Sequence, residues 1–489
     1  MPEKKKETPI VMKLDQNRKT MNERIGVDQS FDAGFRTLTL LGVEVNFYYV
    51  TGLVETPIVV EVMRQLMEMN DTEDHVDSVF KSIKDEIPHQ QVETTSDLDK
   101  CITQMLSGLM VIFVDGETEA FIVDVRTYPG RTPEEPDTEK VIRGSRDGYT
   151  ENIIENTALT RRRIRDERLR NEIMQVGNRS KTDVCITYIK DVADPGLVQL
   201  LKEKIQKIDI DGLSMADKSL EEYIVNQGKN PFPLVRYTER PDVVASHLFE
   251  GHVVIMTDTS PSTIITPTTY FHHVQHAEEF RQSPPVGTFV RWVRFFGIFA
   301  SVFVLPLWML FVMQPDLLPE PFAFIGPNEE STIPIIFQIL IADLGLEMLR
   351  IAAIHTPTPL STAMGLIAAV LIGQIAIDVG MFVPEVILYV AVAAIGSYST
   401  PSYELSVANK MARILFVILV AIFGIKGLMC GFLAYVLLLA NTKSLNTPYL
   451  WPFLPFNGKA AIQIILRLSM PSLKVRPSVV HPQNNQRQK

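Results

Sequence analysis

Cysteine is nearly absent. The chain has three in 489 residues, Cys101, Cys185 and Cys430, an odd number, far apart and without metal-ligand spacing. That excludes a disulfide framework, and a reducing compartment fits the charged part of the chain. The basic start MPEKKKETPIVMKLDQNRK has no apolar stretch behind it, so no cleaved signal peptide is expected and the first half should not be exported. Glycine-rich phosphate loops, nucleophile elbows and HExxH pairs are missing too. No catalytic residue, cofactor or metal is therefore expected. His272, His273 and His276 in FHHVQHAEEF come nearest to a ligand cluster, but no nearby cysteine or placed partner completes it. With Tyr270 and Phe271 they suit a surface segment approaching a membrane.

Charge is missing from one half. The averages, 46% hydrophobic residues and a formal net charge of −10, are those of an ordinary acidic protein. They combine a first half rich in Glu, Asp, Lys and Arg with a stretch, 295–440, almost free of them. The expected fold class is accordingly multidomain: two similar α/β subdomains in tandem, then an all-α polytopic membrane domain.

The tandem reading rests on an internal repeat. EVNFYYVTGLVE at 44–55 is followed by a helical stretch and DLDKCITQMLSGLMVIFVDGETEAFIV at 97–123. DVCITYIKDVAD at 183–194 is followed by a helical stretch and DVVASHLFEGHVVIMTDTSPSTIIT at 242–266. Each copy reads as strand, helices, a short helix ended by Gly108 or Gly251, and a strand–turn–strand. The boundaries are an N-terminal extension at 1–38, α/β subdomains at 39–135 and 183–280, and a helical connector at 136–182. A transmembrane domain of about five spans at 281–458 and a basic C-terminal segment at 459–489, its last residues PSVVHPQNNQRQK a disordered tail, complete the chain. The connector carries Arg161, Arg162, Arg163, Arg165, Arg168 and Arg170, interrupted by Asp166, Glu167 and Glu172. In an acidic chain without supporting aromatics this reads as a solvated or subunit-contacting helix, not a nucleic-acid surface.

Spanning segments need about 20 apolar residues. They fall at 295–313, 333–352, 360–382, 384–399 and 411–440, the last interrupted by Gly424-Ile-Lys426-Gly427. Basic residues mark the cytosolic side. Arg281, Arg291 and Arg294 place the N-terminal half inside, and the loop 314–332, with acids and no Lys or Arg, lies outside. A single fifth span would strand Lys443, Lys459, Arg467, Lys474 and Arg476 outside. Residues 411–440 are one tilted helix or a broken pair.

The 360–382 segment carries two rows. Gly365, Ala369 and Gly373 form a small-residue face for close helix packing. Roughly 100–180° away, at about 100° per residue, lie Ile367, Val370, Leu371, Gln374 and Asp378. An apolar, then polar, then acidic row suits a pore lining, with Asp378 at the outer mouth; hydrogen bonding within the bundle is the alternative. In the preceding span Asp343, Glu347 and Arg350 add intramembrane charge, with Glu347–Arg350 at intrahelical ion-pair spacing.

IRGSRDGYTENIIENTALTRRRI, ERPDVVASHLFEGHVVIMTDTSPSTIITP, LEMLRIA, LIGQIAI, SYELSVANKMARI and TPYLWPFLP, in that order, resemble the GerA family of spore germination proteins. The resemblance spans residues 35–458. It implies an integral protein of the spore inner membrane with its large N-terminal domain in the spore core. It also implies a homo-oligomeric channel, pentameric in one arrangement, that lets ions leave the core, together with a smaller membrane-protein companion. Glu347, Arg350, Gly373, Gln374 and Glu404 match the family pattern. A small-solute carrier and a non-conducting receptor or scaffold are the competing readings. A carrier should show inverted repeats within the membrane half, whereas the repeat found here lies in the soluble half.

The orientation is testable. In a background lacking Cys101, Cys185 and Cys430, a cysteine at Glu329 should react with an impermeant thiol reagent from outside and one at Thr160 should not. Labelling of both from one side overturns it.

Overall fold

A computed structural model describes residues 8–71, 78–89, 91–127, 143–326, 332–355, 365 and 373–487. The chain divides into two units. One comprises Met1–Asn226, Val235–Pro267 and Met470–Lys489; the other comprises Gln227–Leu234 and Thr268–Ser469.

The first unit contains two five-stranded antiparallel sheets with the same strand order. In the first, β1 (Ala33–Leu40), β2 (Val43–Val50), β3 (Val92–Thr95), β4 (Met110–Val114) and β5 (Ala120–Val123) lie in the order β1-β2-β4-β5-β3. In the second, β6 (Leu169–Val176), β7 (Thr182–Ile189), β8 (Arg236–Thr238), β9 (Val253–Thr257) and β10 (Thr263–Thr266) repeat it as β6-β7-β9-β10-β8. The helices repeat as well. After a leading α1 (Leu14–Ile25), α2 (Thr56–Glu68), α3 (Val79–Glu86) and α4 (Leu98–Met105) interrupt the first set. Beyond α5 (Ile153–Arg163), α6 (Pro195–Gln206), α7 (Ala216–Ile224) and α8 (Pro241–Glu250) do so at the same places in the second.

Strand β4, MVIFV, is apolar at every position because both faces of its sheet are covered. Val111 and Phe113 face a core with Tyr48, Cys101 and Met105, whereas Met110, Ile112 and Val114 face one with Phe47, Val62 and Leu66. Side chains alternate along a strand, so two buried faces require a continuous apolar run. Buried thiols lose reactivity: desolvation pushes Cys101 up to about 12 and raises Cys185 further still. Cys430 is exposed. Thr160 is also fully buried, so silence of a cysteine there would not report its side; Lys19, exposed on α1, serves instead.

The expected helical connector is corrected in two ways. Helix α5, capped by the Asn152 side chain, ends at Arg163, and Leu169–Val176 is strand β6, paired along its length with β7. Nor are all of its arginines solvated: Arg162, Arg165 and Arg168 are exposed, but Arg161 and Arg170 are not. Arg161 is buried and donates through Nε and Nη2 to the Asp32 carboxylate at 3.0 and 3.2 Å, and Asn171 Nδ2 donates to the same carboxylate at 3.0 Å. Arg24 bridges Asp99 at 2.6 Å and Glu167 at 2.8 Å. These bonds fasten the first subdomain to the second. The tail differs from expectation as well. Val479 and Val480 are buried, Gln483 Nε2 donates to the Ala193 carbonyl at 2.6 Å, and Arg487 pairs with Glu250 at 3.1 Å. An apolar pair and a few directed polar bonds are enough to hold a Pro-containing segment.

The second unit is helical. It opens with the short α9 (Tyr270–Val274) and α10 (Ala277–Arg281), followed by α11 (Pro284–Met313) and α12 (Ile335–His355). After the single turn α13 (Ala376–Asp378) come α14 (Pro384–Tyr398), α15 (Tyr403–Phe423), α16 (Ile425–Asn441) and α17 (Gly458–Ile465). Helices α11 and α15 are long and apolar enough to cross a membrane; α14 and α16 are shorter and apolar. The 411–440 stretch is a broken pair. Gly424, at φ 57° and ψ −138°, takes a conformation closed to side-chain-bearing residues and ends α15. Helix α16 then folds back so closely that a Cβ on Gly427 would lie 2.0 Å from the Leu419 carbonyl oxygen.

Replacing Arg161 with Met leaves a buried carboxylate without its cation. A loss of about 3–5 kcal/mol is expected, read as a lower urea midpoint of the first unit in the full-length protein. The Asp32→Asn/Arg161→Met pair should recover part of it; equal losses would mean the pair does not hold the subdomains.

Candidate functional site: charged residues inside the helical unit

The apolar helices of the second unit enclose a cluster of five charged side chains. Helix α12 places Asp343, Glu347 and Arg350 on one side at spacings of four and three residues, and α15 presents Lys410 and Arg413 to them. Asp343 is 2% exposed and Arg413 is 1% exposed, and Arg413 Nη2 donates to Asp343 Oδ1 at 2.5 Å. Lys410 Nζ reaches Glu347 at 2.8 Å and the Asp343 backbone carbonyl at 3.0 Å. Arg350 pairs with Glu347, as its spacing suggests, and its guanidinium lies 4.9 Å from the Tyr403 ring centroid.

Arg413 does more than neutralise Asp343. Its Nη1 donates to the Ser301 carbonyl of α11 at 2.8 Å, with the Ala393 carbonyl and Ser397 Oγ of α14 at 3.4 Å. A single guanidinium thus joins α11, α12, α14 and α15, which a point-charge ammonium could not do in the same geometry. A second polar tie lies nearer the start of α12. Gln338, fully buried, donates to the Ile333 carbonyl at 2.7 Å and accepts from the Val383 amide at 2.9 Å.

The residues singled out in the 360–382 segment have another setting. Ile367, Ala369, Val370 and Leu371 lie outside the described residues. Gln374 and Asp378 are exposed, and no side-chain hydrogen bond or ion pair joins Asp378 to another described residue. At Gly365 and Gly373 an added Cβ would meet nothing within 4 Å. Residues 373–375 wind as a π turn before α13, which gives way to Gly380 at φ 75°.

The three histidines have local roles. His272 Nδ1 accepts from the Thr269 amide at 3.0 Å in a capping box, His276 caps the following turn at Glu278, and His273 is buried with its ring 6.2 Å from that of Tyr449. Lys410 and Arg413 stand outside the residues singled out from the sequence. Their spacing of three in an otherwise apolar helix, like that of Glu347 and Arg350, was the signal that they face other helices.

Comparison with known proteins follows the same lines. The family model described as Bacillus/Clostridium GerA spore germination protein matches residues 19–479. Stage V sporulation protein AF of Bacillus subtilis (strain 168) is 59% identical over 489 residues, covering 100% of this chain and 99% of that protein. The uncharacterized membrane protein YfkQ of the same organism is 29% identical over 442 residues, 90% of this chain and 86% of that one. Among solved structures, the N-terminal domain of the A subunit of the Bacillus megaterium spore germinant receptor GerK3 matches at 26% identity and a TM-score of 0.43, over 54% of this chain and 99% of that one. By the extent of the family match and the identity to a full-length relative, the chain belongs to the GerA family of spore germination proteins.

Proposed function

We propose that this protein is a membrane channel subunit of the spore germination machinery, conducting ions, cations by its acidic lining, out of the spore core. The observation that carries the reading is the contrast between two carboxylates. Asp343 is buried and met by Arg413 and Lys410, whereas Asp378 is exposed in the single chain. An Asp facing lipid costs about 2.5–3.5 kcal/mol at mid-membrane and less toward the outer mouth, so an exposed one in an apolar helical region favours water or a partner. Gln374 and the open positions at Gly365 and Gly373 lie in the same segment. Copies of the chain packed through those glycines would cover the face and turn the polar residues toward a shared aqueous axis. In this arrangement Ile367, Val370 and Leu371 form the apolar constriction on the cytosolic side.

The reversal at Gly424 supports a spanning arrangement with both ends inside. With 360–382 counted as a crossing, α11, α12, α14, α15 and α16 make six. That leaves Lys443, Lys459 and Arg467 on the same side as Arg281, as the distribution of basic residues favours. Residues 470–487 fold into the same unit as the N-terminal half, which agrees with an even number. The setting we infer is the spore inner membrane, with the tandem subdomains in the core, a homo-oligomer, and a smaller membrane protein as companion.

Purified protein in a planar bilayer should show discrete conductance steps. Asp378→Asn should lower cation conductance, most at low salt where a carboxylate ring is least screened, and Asp378→Lys should shift selectivity toward anions. Saturable exchange without steps, or wild-type conductance in both variants, overturns the reading. Asp343→Asn is expected to act differently, through stability. It leaves Arg413 without its buried counter-charge and should lower the thermal midpoint in mild detergent, by roughly 3–5 kcal/mol of stability. An unchanged midpoint would remove the cluster as the frame of the helical unit.

A further inference from the structure

Helix α11 is 30 residues long, about 45 Å at 1.5 Å per residue. The hydrocarbon core of a bilayer is only about 30 Å thick, and about 40–45 Å with its headgroup layers. If 295–313 crosses, the first ten or so residues of α11 stand in the headgroup layer on the N-terminal side.

Helix α17 is tied to that level. Arg291 Nη1 donates to the Gln463 and Ile464 carbonyls at 2.8 and 2.9 Å, Trp292 Nε1 donates to the Ile465 carbonyl at 3.0 Å, and the Arg467 amide donates to Thr288 Oγ1 at 3.1 Å. These bonds cap the C-terminal carbonyls of α17 with an arginine and an indole from α11. Arg291 is itself held by the fully buried Glu279 at 2.8 Å.

The segment so held is apolar on its outside. Phe456 is 76% exposed, and Leu454, Ile462 and Ile465 are also exposed, while Tyr449 and Trp451 are buried. The α11 residues Phe289, Trp292, Val293 and Phe296, spaced as one helix face, are likewise exposed. Within the C-terminal segment the charge has one sign. From Asn441 to the end there is no Asp or Glu, and Lys443 and Lys459 are exposed on either side of the loop. Exposed aromatic and aliphatic groups beside lysines, lying across the start of a long helix, have the composition of an interfacial anchor.

We propose that residues 449–466, with the first turns of α11, lie in the headgroup layer of the leaflet at the N-terminal end of α11 and bind anionic phospholipid there. The inference rests on the membrane reading above. The rest of α11 fixes the depth, the exposed apolar side chains enter the acyl boundary, and Lys443 and Lys459 meet phosphate.

The test uses the full-length protein with Cys430→Ser, reconstituted into vesicles of phosphatidylcholine with or without phosphatidylglycerol. An environment-sensitive dye is attached to a cysteine at Phe456, Ile462 or Leu433. Leu433 is an exposed residue midway along α16 and serves as the deep reference. Quenching is read from lipids brominated near the headgroup or near the chain end. For an element buried about 5–10 Å into the boundary, quenching at Phe456 and Ile462 should be about twofold stronger from the shallow lipid, with the reverse at Leu433. It should fall when phosphatidylglycerol is omitted, and Lys443→Gln/Lys459→Gln should remove that dependence. Quenching at Leu433 without any at Phe456 and Ile462 overturns the anchor, whether water or a second copy covers the patch, and leaves the spans standing. No quenching at Leu433 overturns the membrane reading and the anchor with it. Equal quenching with and without phosphatidylglycerol overturns the anionic preference.

Discussion

A guanidinium and a carboxylate buried in an apolar helical bundle constrain everything packed around them. Each ion alone would suffer several kcal/mol of lost hydration, so Asp343 and Arg413 must meet, and the helices carrying them must come within reach. Arg413 then reaches two further helices through the Ser301 carbonyl and the Ala393–Ser397 turn. Helix α11 must therefore expose a carbonyl at Ser301, and α14 must end close enough to offer Ser397. Packing of apolar side chains alone would allow these helices to slide; directed bonds from one planar group do not. Lys410 and Arg350 extend the same logic outward to Glu347.

The N-terminal unit uses the same device in a different medium. Asp32 is buried where the two subdomains meet and is answered by Arg161 from the linking helix and Asn171 from the first strand of the second sheet. Duplicated sheets with the same strand order need a contact that neither copy supplies by itself. The linking segment supplies it, which is why Arg161 is inside rather than solvated. The tail adds another connection, its last residues bonded to the second subdomain through Gln483 and Arg487.

Against these satisfied pairs, the 373–380 segment stands apart. Its polar residues are outward, its Gly373 is uncovered, and its helix lasts a single turn before Gly380. A chain that pairs Asp343 so completely and leaves Asp378 exposed has two kinds of acid in its helical unit: one holds the helices of a single copy together, and the other is free for contacts beyond it. The apolar patch around α17 is uncovered in a different way, with aromatic and aliphatic residues next to lysines rather than amide next to acid.

The division into a charged α/β half and an apolar helical half was legible in the sequence, because charge density and apolar run length are local properties. So was the tandem repeat, since buried strands such as MVIFV and VVIMT must be apolar wherever they occur. Glu347–Arg350 was readable too, being an intrahelical spacing. Four features were decided only by tertiary structure. Arg161 looked solvated because a run of arginines reads as solvated until a buried acid from another subdomain answers it. Leu169–Val176 became a strand because β7 offered an edge, against a local pattern that suited a helix. The break at Gly424 depended on Gly427 lying against Leu419, a contact between helices. Arg413 gained its role from groups on three other helices, and residues 70 and 112 positions away along the chain cannot be matched by periodicity. Local pattern reports what a segment needs to bury; which partner meets that need is a property of the folded chain.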